Sequence, residues 1–598
     1  MARLFRPFAL VMSLIMALGA DIVWAAESQG VARARVEGKM DSSLKAKIES
    51  AIGETTRPVT NRFEARQRAR SVADTALSVL RSEGYYDAQV EPGVTGTDPV
   101  QPLITVLPGQ VFHIAGPVIE WLDPAPPEAI QALGTSILDL KSGQVGASIT
   151  IVSAEGRVAA ALKGRGYADT EVAARQVIVD HADRTVQPTF RVRSGDLIHL
   201  DGLTLATAGR TREDWLQRLK PWTAGEVFDP AKLADFELRL TETGVYDSVN
   251  VALAPLPEVP DGAPRPVIVQ LSDRPPRQIE FAASYATSDG FGMDARWTQL
   301  NRLGVADRSS LFAKASSLDS RVGASLVLPN WRQLRQSLTV NSAIYTQITP
   351  AYKENGATIS VDRDRWLNRH ADLTTGASLD YITTRSTDSK SLQTQAEHRL
   401  LSGVLGALVL DYSDDPLDPH KGWRAETRLE PTLITGSNSL AYFKASAQGT
   451  GYIPLGSDGK TLMAGRLKLG SIIGGSLSGV PASRRYYSGG GGSVRGYVYQ
   501  AIGPHLANNT PEGGLGLFEA SGEVRHQIAP KWGLAGFVDL GSISSDPVPT
   551  FKDLSIGVGA GLRYNLGFGP LRLDLAIPLN RRSDDPKYQI YVSIGQSF

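Results

Sequence analysis

The segment "GPLRLDLAIPL", residues 569–579, decides the fold of the second half of the chain. Its apolar and other side chains alternate, so that one face would carry Leu571, Leu573, Leu575 and Ile577 and the other Arg572, Asp574 and Ala576. A period of two residues is that of a β-strand with one apolar face and one face that accepts charge. We therefore predict a strand that meets apolar surroundings on one side only.

The same alternation continues through residues 274–598. From residue 276, segments of roughly ten residues alternate in polarity between turn-rich connections, as in transmembrane barrels. Dividing the region in this way yields about sixteen candidate strands, an even number, as expected for an antiparallel barrel. The predicted fold class is an all-β transmembrane barrel of about 16 antiparallel strands. A soluble β-sandwich is the alternative.

The N-terminus has the pattern of a secretory signal peptide. Arg3 and Arg6 precede the apolar run "FALVMSLIMALGA", and small residues follow at Ala25 and Ala26. We predict a signal peptide over residues 1–26. No later stretch is long and apolar enough for a spanning helix, so a mature chain that crosses a membrane must do so as a closed barrel.

Composition narrows the function further. The 62 basic and 62 acidic residues balance, which gives no indication of a nucleic-acid partner. Because cysteine is absent, disulfides, thiolate metal sites and cysteine nucleophiles are excluded. The eight histidines are scattered and no HExxH pattern occurs. We predict no enzyme, no cofactor and no metal site.

Three short segments recur before the barrel region: "GYYDAQV" at Gly84, "GYADTEV" at Gly166 and "GVYDSVNV" at Gly244. Each is predicted to open a strand directly after an amphipathic helix, and Asn61 and Glu64 are spaced as a capping box for the first of these helices. The order of strands and helices resembles the α+β POTRA domain. Predicted POTRA domains cover residues 27–108, 109–194 and 195–273, and three unrelated α+β modules are the alternative.

The connection "RRYYSGGGGSVRGYVYQ", residues 484–500, places Arg495 beside four glycines. Glycines permit the close backbone approach that a connection folded into a barrel lumen needs. A partly desolvated guanidinium requires a carboxylate, and alternation places Asp539, Glu519 and Glu523 on the lumen face. We predict a clamp in which Arg495 pairs with Asp539 and, in second place, Glu519; a solvated loop arginine is the alternative. The predicted clamp residues are Val494, Arg495, Gly496, Tyr497, Asp539 and Glu519.

Several segments together resemble the BamA and TamA superfamily of outer-membrane assembly proteins. They are "VRGY" at 494–497, "FVDLG" at 537–541, "GAGLRYNLGFGPLRLDLAIPL" at 559–579, "DYSDDPLDPHKGW" at 411–423 and the final Phe598. The resemblance covers essentially the whole mature chain. Three POTRA domains favour the TamA-like members, because BamA-like chains usually carry five and two-partner secretion transporters two.

The resemblance implies an outer-membrane assembly factor of a Gram-negative-type bacterium, with its POTRA domains in the periplasm. Its expected partners are unfolded β-barrel clients such as autotransporters, a TamB-like inner-membrane protein and the lipid bilayer. The first and last strands must pair to close the barrel, and a glycine near this seam favours lateral opening. The predicted seam residues are Ala283, Tyr285, Ile594, Gly595 and Phe598. A polypeptide transport pore of the two-partner secretion type is the alternative.

Overall fold

The computed structural model describes residues 31–97, 99–207, 209–256, 263–286, 290–387, 394–416, 418–436, 439–456, 459–566, 570–583, 585–594 and 596. The predicted signal peptide lies outside these residues. The chain divides into two compact units, the first formed mainly by residues up to 200 and the second mainly by residues from 201 onward. None of the helices in the described part is long and apolar enough to cross a bilayer.

The first unit begins with a three-stranded sheet covered by two helices. The elements of this region are β1 (Val31–Ala32), β2 (Arg35–Gly38), α1 (Ser42–Ile52), β3 (Glu54–Thr55), α2 (Arg62–Ser82), β4 (Gln89–Thr95) and β5 (Gln101–Leu107). The short strands β1 and β3 pair with each other in a separate two-stranded sheet. The central strand is β5, between β2 and β4. Both helices bury apolar side chains against it, including Ile48 and Leu80, which share one core with Ile104 of β5. The Asn61 carboxamide oxygen accepts from the Glu64 backbone N–H at 2.8 Å, whereas the Glu64 carboxylate returns to the Thr60 backbone N–H at 3.0 Å.

A second sheet with its own helices completes the first unit. It comprises β6 (His113–Ile114), β7 (Val118–Trp121), α3 (Glu128–Leu138), α4 (Ser148–Lys163), β8 (Glu171–Val172), β9 (Gln176–Asp180) and β10 (Thr185–Arg193). The strand β10 is central, with β6 and β7 parallel to it on one edge and β8 and β9 antiparallel on the other. Val158 and Leu162 of α4 pack into one core with Phe112 and Phe190.

The second unit opens with a third α/β element set. It comprises β11 (Leu200–Leu205), α5 (Glu213–Leu219), α6 (Pro230–Glu242), β12 (Tyr246–Leu253) and β13 (Arg265–Asp273), with β13 between the other two strands. The rings of Trp222 and Phe236 meet edge to face at 5.5 Å. In all three sets the glycine of the recurrent segment has a left-handed backbone, with φ of 95° at Gly84, 100° at Gly166 and 72° at Gly244. The left-handed conformation of this glycine ends each helix and redirects the chain toward the strand that follows.

Residues from Arg277 onward form one antiparallel sheet of sixteen strands. The strands are β14 (Arg277–Ala286), β15 (Gly290–Leu300), β16 (Arg308–Ser316), β17 (Asp319–Leu328), β18 (Gln336–Ile348), β19 (Tyr352–Asn368), β20 (Ala371–Thr387), β21 (Thr394–Asp411), β22 (Gly422–Gly436), β23 (Leu440–Leu455), β24 (Thr461–Ile473), β25 (Gly516–Ala529), β26 (Trp532–Ser544), β27 (Ser555–Asn565), β28 (Pro570–Pro578) and β29 (Gln589–Ile594). Each strand pairs with its neighbours in the chain, and β14 comes into contact with β29. The predicted fold class is confirmed.

The strand β28 shows how alternation places side chains on the two faces of this sheet. Its outward side chains are exposed, from 37% at Leu571 to 51% at Leu575. Its inward side chains Arg572, Asp574 and Ala576 are buried. The outer face is therefore apolar and the lumen face carries charge, as a membrane barrel requires.

Candidate functional site

The connection between β24 and β25, residues 474–515, folds back into the lumen of the barrel. Val494, Tyr497 and Ile502 of this connection lie in one apolar core with wall residues that include Leu517 and Ile543. The connection contains a short 3-10 turn at Ala482–Arg484. The lumen connection, as we call residues 474–515, is therefore part of the packed interior.

Glycines in the wall allow this connection to come close. A Cβ atom at Gly557 would lie 1.9 Å from the Arg495 carbonyl oxygen, and one at Gly541 would lie 2.6 Å from a Val494 methyl group. In the connection itself, Gly496 has φ of 100°, and a Cβ atom there would lie 3.0 Å from the Ile577 carbonyl carbon. Side chains at Gly557 and Gly496 would collide with the backbone opposite and one at Gly541 with the Val494 side chain, so the clamp depends on glycine on both sides.

Arg495 is buried and makes a bidentate ion pair with Asp539 on β26. Its Nε donates to Asp539 Oδ2 at 2.7 Å and its Nη2 to Oδ1 at 3.0 Å. The Arg495 backbone N–H also donates to Oδ2, at 3.1 Å. The guanidinium lies over the Phe537 ring, 3.4 Å from its centroid. The structure thus brings Arg495 and Asp539 together in the fork geometry that suits a carboxylate.

Two further carboxylates complete this site. Arg495 Nη1 donates to Glu523 Oε2 at 3.0 Å and to Asp574 Oδ2 at 3.2 Å. Both carboxylates are themselves bridged by Arg563, which donates to Glu523 Oε1 at 3.1 Å and also to Asp574. Because Glu523 and Asp574 each pair with more than one arginine, the buried charges compensate one another.

Glu519 is not a partner of Arg495, in contrast to the predicted pairing. It accepts hydrogen bonds from the hydroxyls of Ser488, at 2.8 Å, and Ser493, and it pairs with Arg466 at 3.4 Å. Glu523 lies four positions after Glu519 along β25, which corresponds to about 13 Å. Both side chains face the lumen, but only the carboxylate of Glu523 is within reach of Arg495.

The connection also binds the last strand. The Gly496 backbone N–H donates to the Tyr591 hydroxyl at 3.1 Å, and this hydroxyl donates to the Tyr497 carbonyl oxygen at 3.1 Å. The Tyr497 hydroxyl in turn donates to Asn580 Oδ1 at 2.6 Å, just after β28. The predicted clamp residues Gly496 and Tyr497 therefore act through their backbone and hydroxyl groups.

A second anchor lies on another part of the wall, at Glu354 on β19. Its carboxylate accepts from the Ser483 hydroxyl and pairs with Arg484 at 3.4 Å. On the wall, the hydroxyls of Tyr345, at 2.8 Å, and Thr384, at 2.6 Å, also donate to it. The lumen connection is consequently held both at β19 and at β25 to β29.

Arg582, in the connection that precedes β29, reaches the lumen connection at His505. Arg582 Nη2 donates to the Gly503 carbonyl oxygen at 2.7 Å, and Arg582 Nη1 donates to His505 Nε2 at 2.8 Å. His505 Nδ1 donates to the same carbonyl at 2.9 Å. Burial first, and then the charge of Arg582, lower the pKa of His505, so that its ring is neutral and can accept.

The seam between β14 and β29 is the other predicted site. Ala283 lies exposed on β14, and the backbone of Tyr285 pairs with Phe291 of β15. Within the described residues, no backbone ladder joins β14 to β29, although the two strands are in contact. Ile594 ends β29, and the predicted seam residues Gly595 and Phe598 lie outside the described part of the chain.

Sequence reasoning missed Asp574, Arg563 and Tyr591 as members of this site. Alternation places Asp574 on the lumen face of β28. The same rule places Tyr591 on the lumen face of β29, between the exposed Ile590 and Val592. That signal identified lumen-facing residues but did not say which of them the connection would meet. In the described residues, no group of His, Cys, Asp or Glu is arranged to hold a metal ion.

These features define a class of protein: a sixteen-stranded membrane barrel that holds one of its own connections inside the lumen and carries α/β units before its first strand. Residues 301–598 match the Omp85 superfamily domain. This part of the chain is therefore an Omp85 superfamily domain.

Curated relatives are similar over a larger share of the chain. The outer membrane protein assembly factor BamA of Neorickettsia risticii (strain Illinois) is 23% identical over 435 residues, which cover 70% of this chain and 57% of that protein. BamA of Neisseria meningitidis serogroup B is 22% identical over 529 residues, covering 77% and 64%. The chain thus spans less than two thirds of the length of either relative.

A solved structure shares the fold. BamA from Haemophilus ducreyi lacking POTRA domains 1-3 superposes with a TM-score of 0.69 at 19% identity, covering 80% of this chain and 99% of that one. The barrel of this chain lies in the outer membrane, and its POTRA-like region lies in the periplasm. Since β14 follows that region, antiparallel order places the connection between β24 and β25 at the outer end.

Proposed function

We propose that this chain is an assembly factor that helps β-barrel clients to insert into the outer membrane through the seam between β14 and β29. The observation that carries the proposal is the seam itself: the described residues show no ladder between these strands, and β29 has only 6 residues where β21 has 18. Where no ladder joins two neighbouring strands, as in the described part of this seam, opening breaks fewer backbone hydrogen bonds than it does at a laddered strand pair. The similarity to proteins named as assembly factors supports the same function.

The free edge of β14 is the proposed working surface. An unpaired strand edge in lipid leaves backbone N–H and C=O groups that only another strand can satisfy. An unfolded client strand would satisfy them by β-augmentation. The outward side chains Ile279 and Phe281 are exposed, so a strand added beside them would remain in contact with lipid.

A more specific assignment within this class of protein rests on the three α/β sets that precede the barrel in the chain. We propose that they are three POTRA domains, that the chain is TamA-like, and that its clients include autotransporters. A TamB-like inner-membrane protein is the proposed partner on the periplasmic side. The exposed sheet edges of these domains are suitable places for such a partner to add a strand.

Disulfide trapping in cells tests the proposal, because the chain has no cysteine of its own. Ala283→Cys reports on the seam, Ser378→Cys lines a lumen cavity of about 280 Å³, and Val404→Cys faces lipid far from the seam. Cysteines are scanned along the terminal barrel strand of an autotransporter. Lateral insertion predicts crosslinks from position 283 at every second client position, because alternate side chains face opposite ways.

Position 404 is the matched control and should yield no crosslinks. Crosslinks from position 378 to an extended passenger, with none from 283, would establish the transport pore of the two-partner secretion type instead. Client crosslinks at 404 as strong as those at 283 would show that contact with the outer face is nonspecific, and the seam would lose its role.

A further inference from the structure

We propose that Tyr591 is a positioning residue that locks the seam by fastening β29 to the lumen connection. The β28–β29 hairpin, as we call residues 570–594, has a backbone ladder within itself and one to β27, and none to β14 in the part that the structure describes. In that part of the chain, contacts other than a ladder to β14 help to hold β29 in place. The lumen connection supplies these contacts.

Tyr591 is the centre of this lock. Its side chain is 5% exposed and packs in one cluster with Phe537 and Ala576. A Cβ atom at Gly491 of the connection would lie only 2.8 Å from the Tyr591 ring. The hydroxyl bridges two backbone groups of the connection, as an acceptor from one residue and a donor to the next. Both of these hydrogen bonds of the Tyr591 hydroxyl are made with the lumen connection.

The rest of the hairpin is tied to the same connection. Asp574 of β28 binds Arg495, Asn580 binds Tyr497, and Arg582 binds the Gly503 carbonyl oxygen. All of these contacts are polar and join the hairpin to the lumen connection. The hairpin therefore cannot swing outward until the connection releases it, whereas its own ladders need not break.

The anchor at Glu354 determines which of the two parts stays in place when the lock opens. Because Ser483 and Arg484 hold the connection to β19, the connection stays with that wall when the hairpin contacts break. Opening would then separate the hairpin from a fixed connection. That the lock controls client insertion rests on the proposed function. That these contacts hold β29 in place does not depend on it.

A single cysteine placed under Tyr591 tests the lock without any client. Ala576 is fully buried there, so Ala576→Cys in the full chain should react with a maleimide only when the hairpin moves away. Tyr591→Phe removes the hydroxyl and keeps the ring. Loss of hydrogen bonds to buried partners predicts labelling about five- to thirty-fold faster than in Ala576→Cys alone. Tyr588→Phe, at an exposed tyrosine three residues earlier, is the control and should leave the rate unchanged.

Hydrogen exchange of residues 589–594 in the cysteine-free chain provides a second measurement that does not depend on the buried thiol. Asn580→Ala provides a second variant at an exposed position, and it should accelerate both readouts by a smaller factor. If Tyr591→Phe labels and exchanges at the rate of Tyr588→Phe, the lock is overturned. Because neither readout involves insertion, a failed client crosslinking experiment would count against the proposed function alone.

Discussion

At the scale of single residues, Arg495 shows why one side chain can organise a whole connection. Its Nε, Nη1, Nη2 and backbone N–H all donate to carboxylates of three different strands. Removing one partner from such a buried group leaves uncompensated charge, which costs more than the pair itself contributes. The clamp is therefore sensitive to changes that conserve charge but alter geometry.

Arg495→Lys keeps the positive charge but loses the bidentate geometry of the guanidinium. Asp539→Asn keeps the shape of the side chain but loses its negative charge. Each should lower the free energy of unfolding by about 3–5 kcal/mol, measured by urea unfolding of the folded barrel. Arg428→Lys is the control, since Arg428 forms a half-exposed pair with Glu430 and should cost under about 1 kcal/mol. Equal stability of Arg495→Lys and Arg428→Lys would contradict the clamp.

Gly557→Ala tests the close approach from the wall side. The new Cβ atom would collide with the Arg495 carbonyl oxygen, so the connection must shift, at a cost of about 1–3 kcal/mol. Gly536→Ala on β26 meets nothing within 4 Å and should be neutral. Thermal unfolding of the two variants can be followed by the electrophoretic mobility of the folded barrel. Similar unfolding midpoints for the two variants would show that the connection does not need this space.

The contact between His505 and Arg582 should depend on pH. Because the folded state lowers the pKa of His505, its stabilising effect is complete above the ordinary histidine pKa of about 6.5 and is lost as pH falls toward the lowered value. The wild-type chain should lose thermal stability between pH 7.5 and 5 relative to His505→Gln, which cannot titrate. The effect is small because the His505 ring is half exposed. Parallel curves of thermal stability against pH for the wild-type chain and His505→Gln would rule it out.

At the scale of elements, polarity alternation was sufficient to predict the strands and their lumen faces. It placed Asp539 inward, and the need of a desolvated arginine for a carboxylate then suggested its partner. It did not distinguish Glu519 from Glu523, because that choice depends on how deeply the connection enters the lumen. The role of Tyr591 was also beyond its reach, since the contact joins residues 95 positions apart.

The anchor at Glu354 gives a prediction for the connection as an element. Glu354→Gln leaves Arg484 without its carboxylate and should loosen residues 476–485 by about 1–3 kcal/mol, seen as faster hydrogen exchange there. Residues 589–594 should exchange as before, because their contacts lie at the other anchor. Glu430→Gln, at another lumen carboxylate, is the control, and faster exchange at both anchors would mean that the connection moves as one body.

At the scale of the whole molecule, the barrel and the α/β set that precedes it share a buried polar junction. Asn301, after β15, is fully buried, and its Nδ2 donates to Thr211 Oγ1 at 2.8 Å. Its Oδ1 accepts from the Ala306 backbone N–H at 2.9 Å. A second contact, between Arg335 and Asp235 at 2.8 Å, is partly exposed. The recurrent glycine segments predicted the α/β sets, but no sequence pattern indicated this junction.

Asn301→Ala should weaken the junction by about 1–3 kcal/mol, because it leaves buried partners unsatisfied. Arg335→Ala should cost only about 0.2–1 kcal/mol, because its pair is partly exposed. Limited proteolysis between residues 201 and 276, in the full chain, measures both. Faster cleavage in Arg335→Ala than in Asn301→Ala would show that the exposed contact carries the junction.

The two anchors of the lumen connection also have an electrical consequence. A barrel of sixteen strands without contents is wide enough to pass hydrated ions, yet here the connection packs against opposing parts of the wall and fills the space between them with buried side chains. Ions would meet an obstruction of protein between these parts of the wall. In a planar bilayer, the resting chain should therefore be nearly silent, and brief current steps would report each release of the connection.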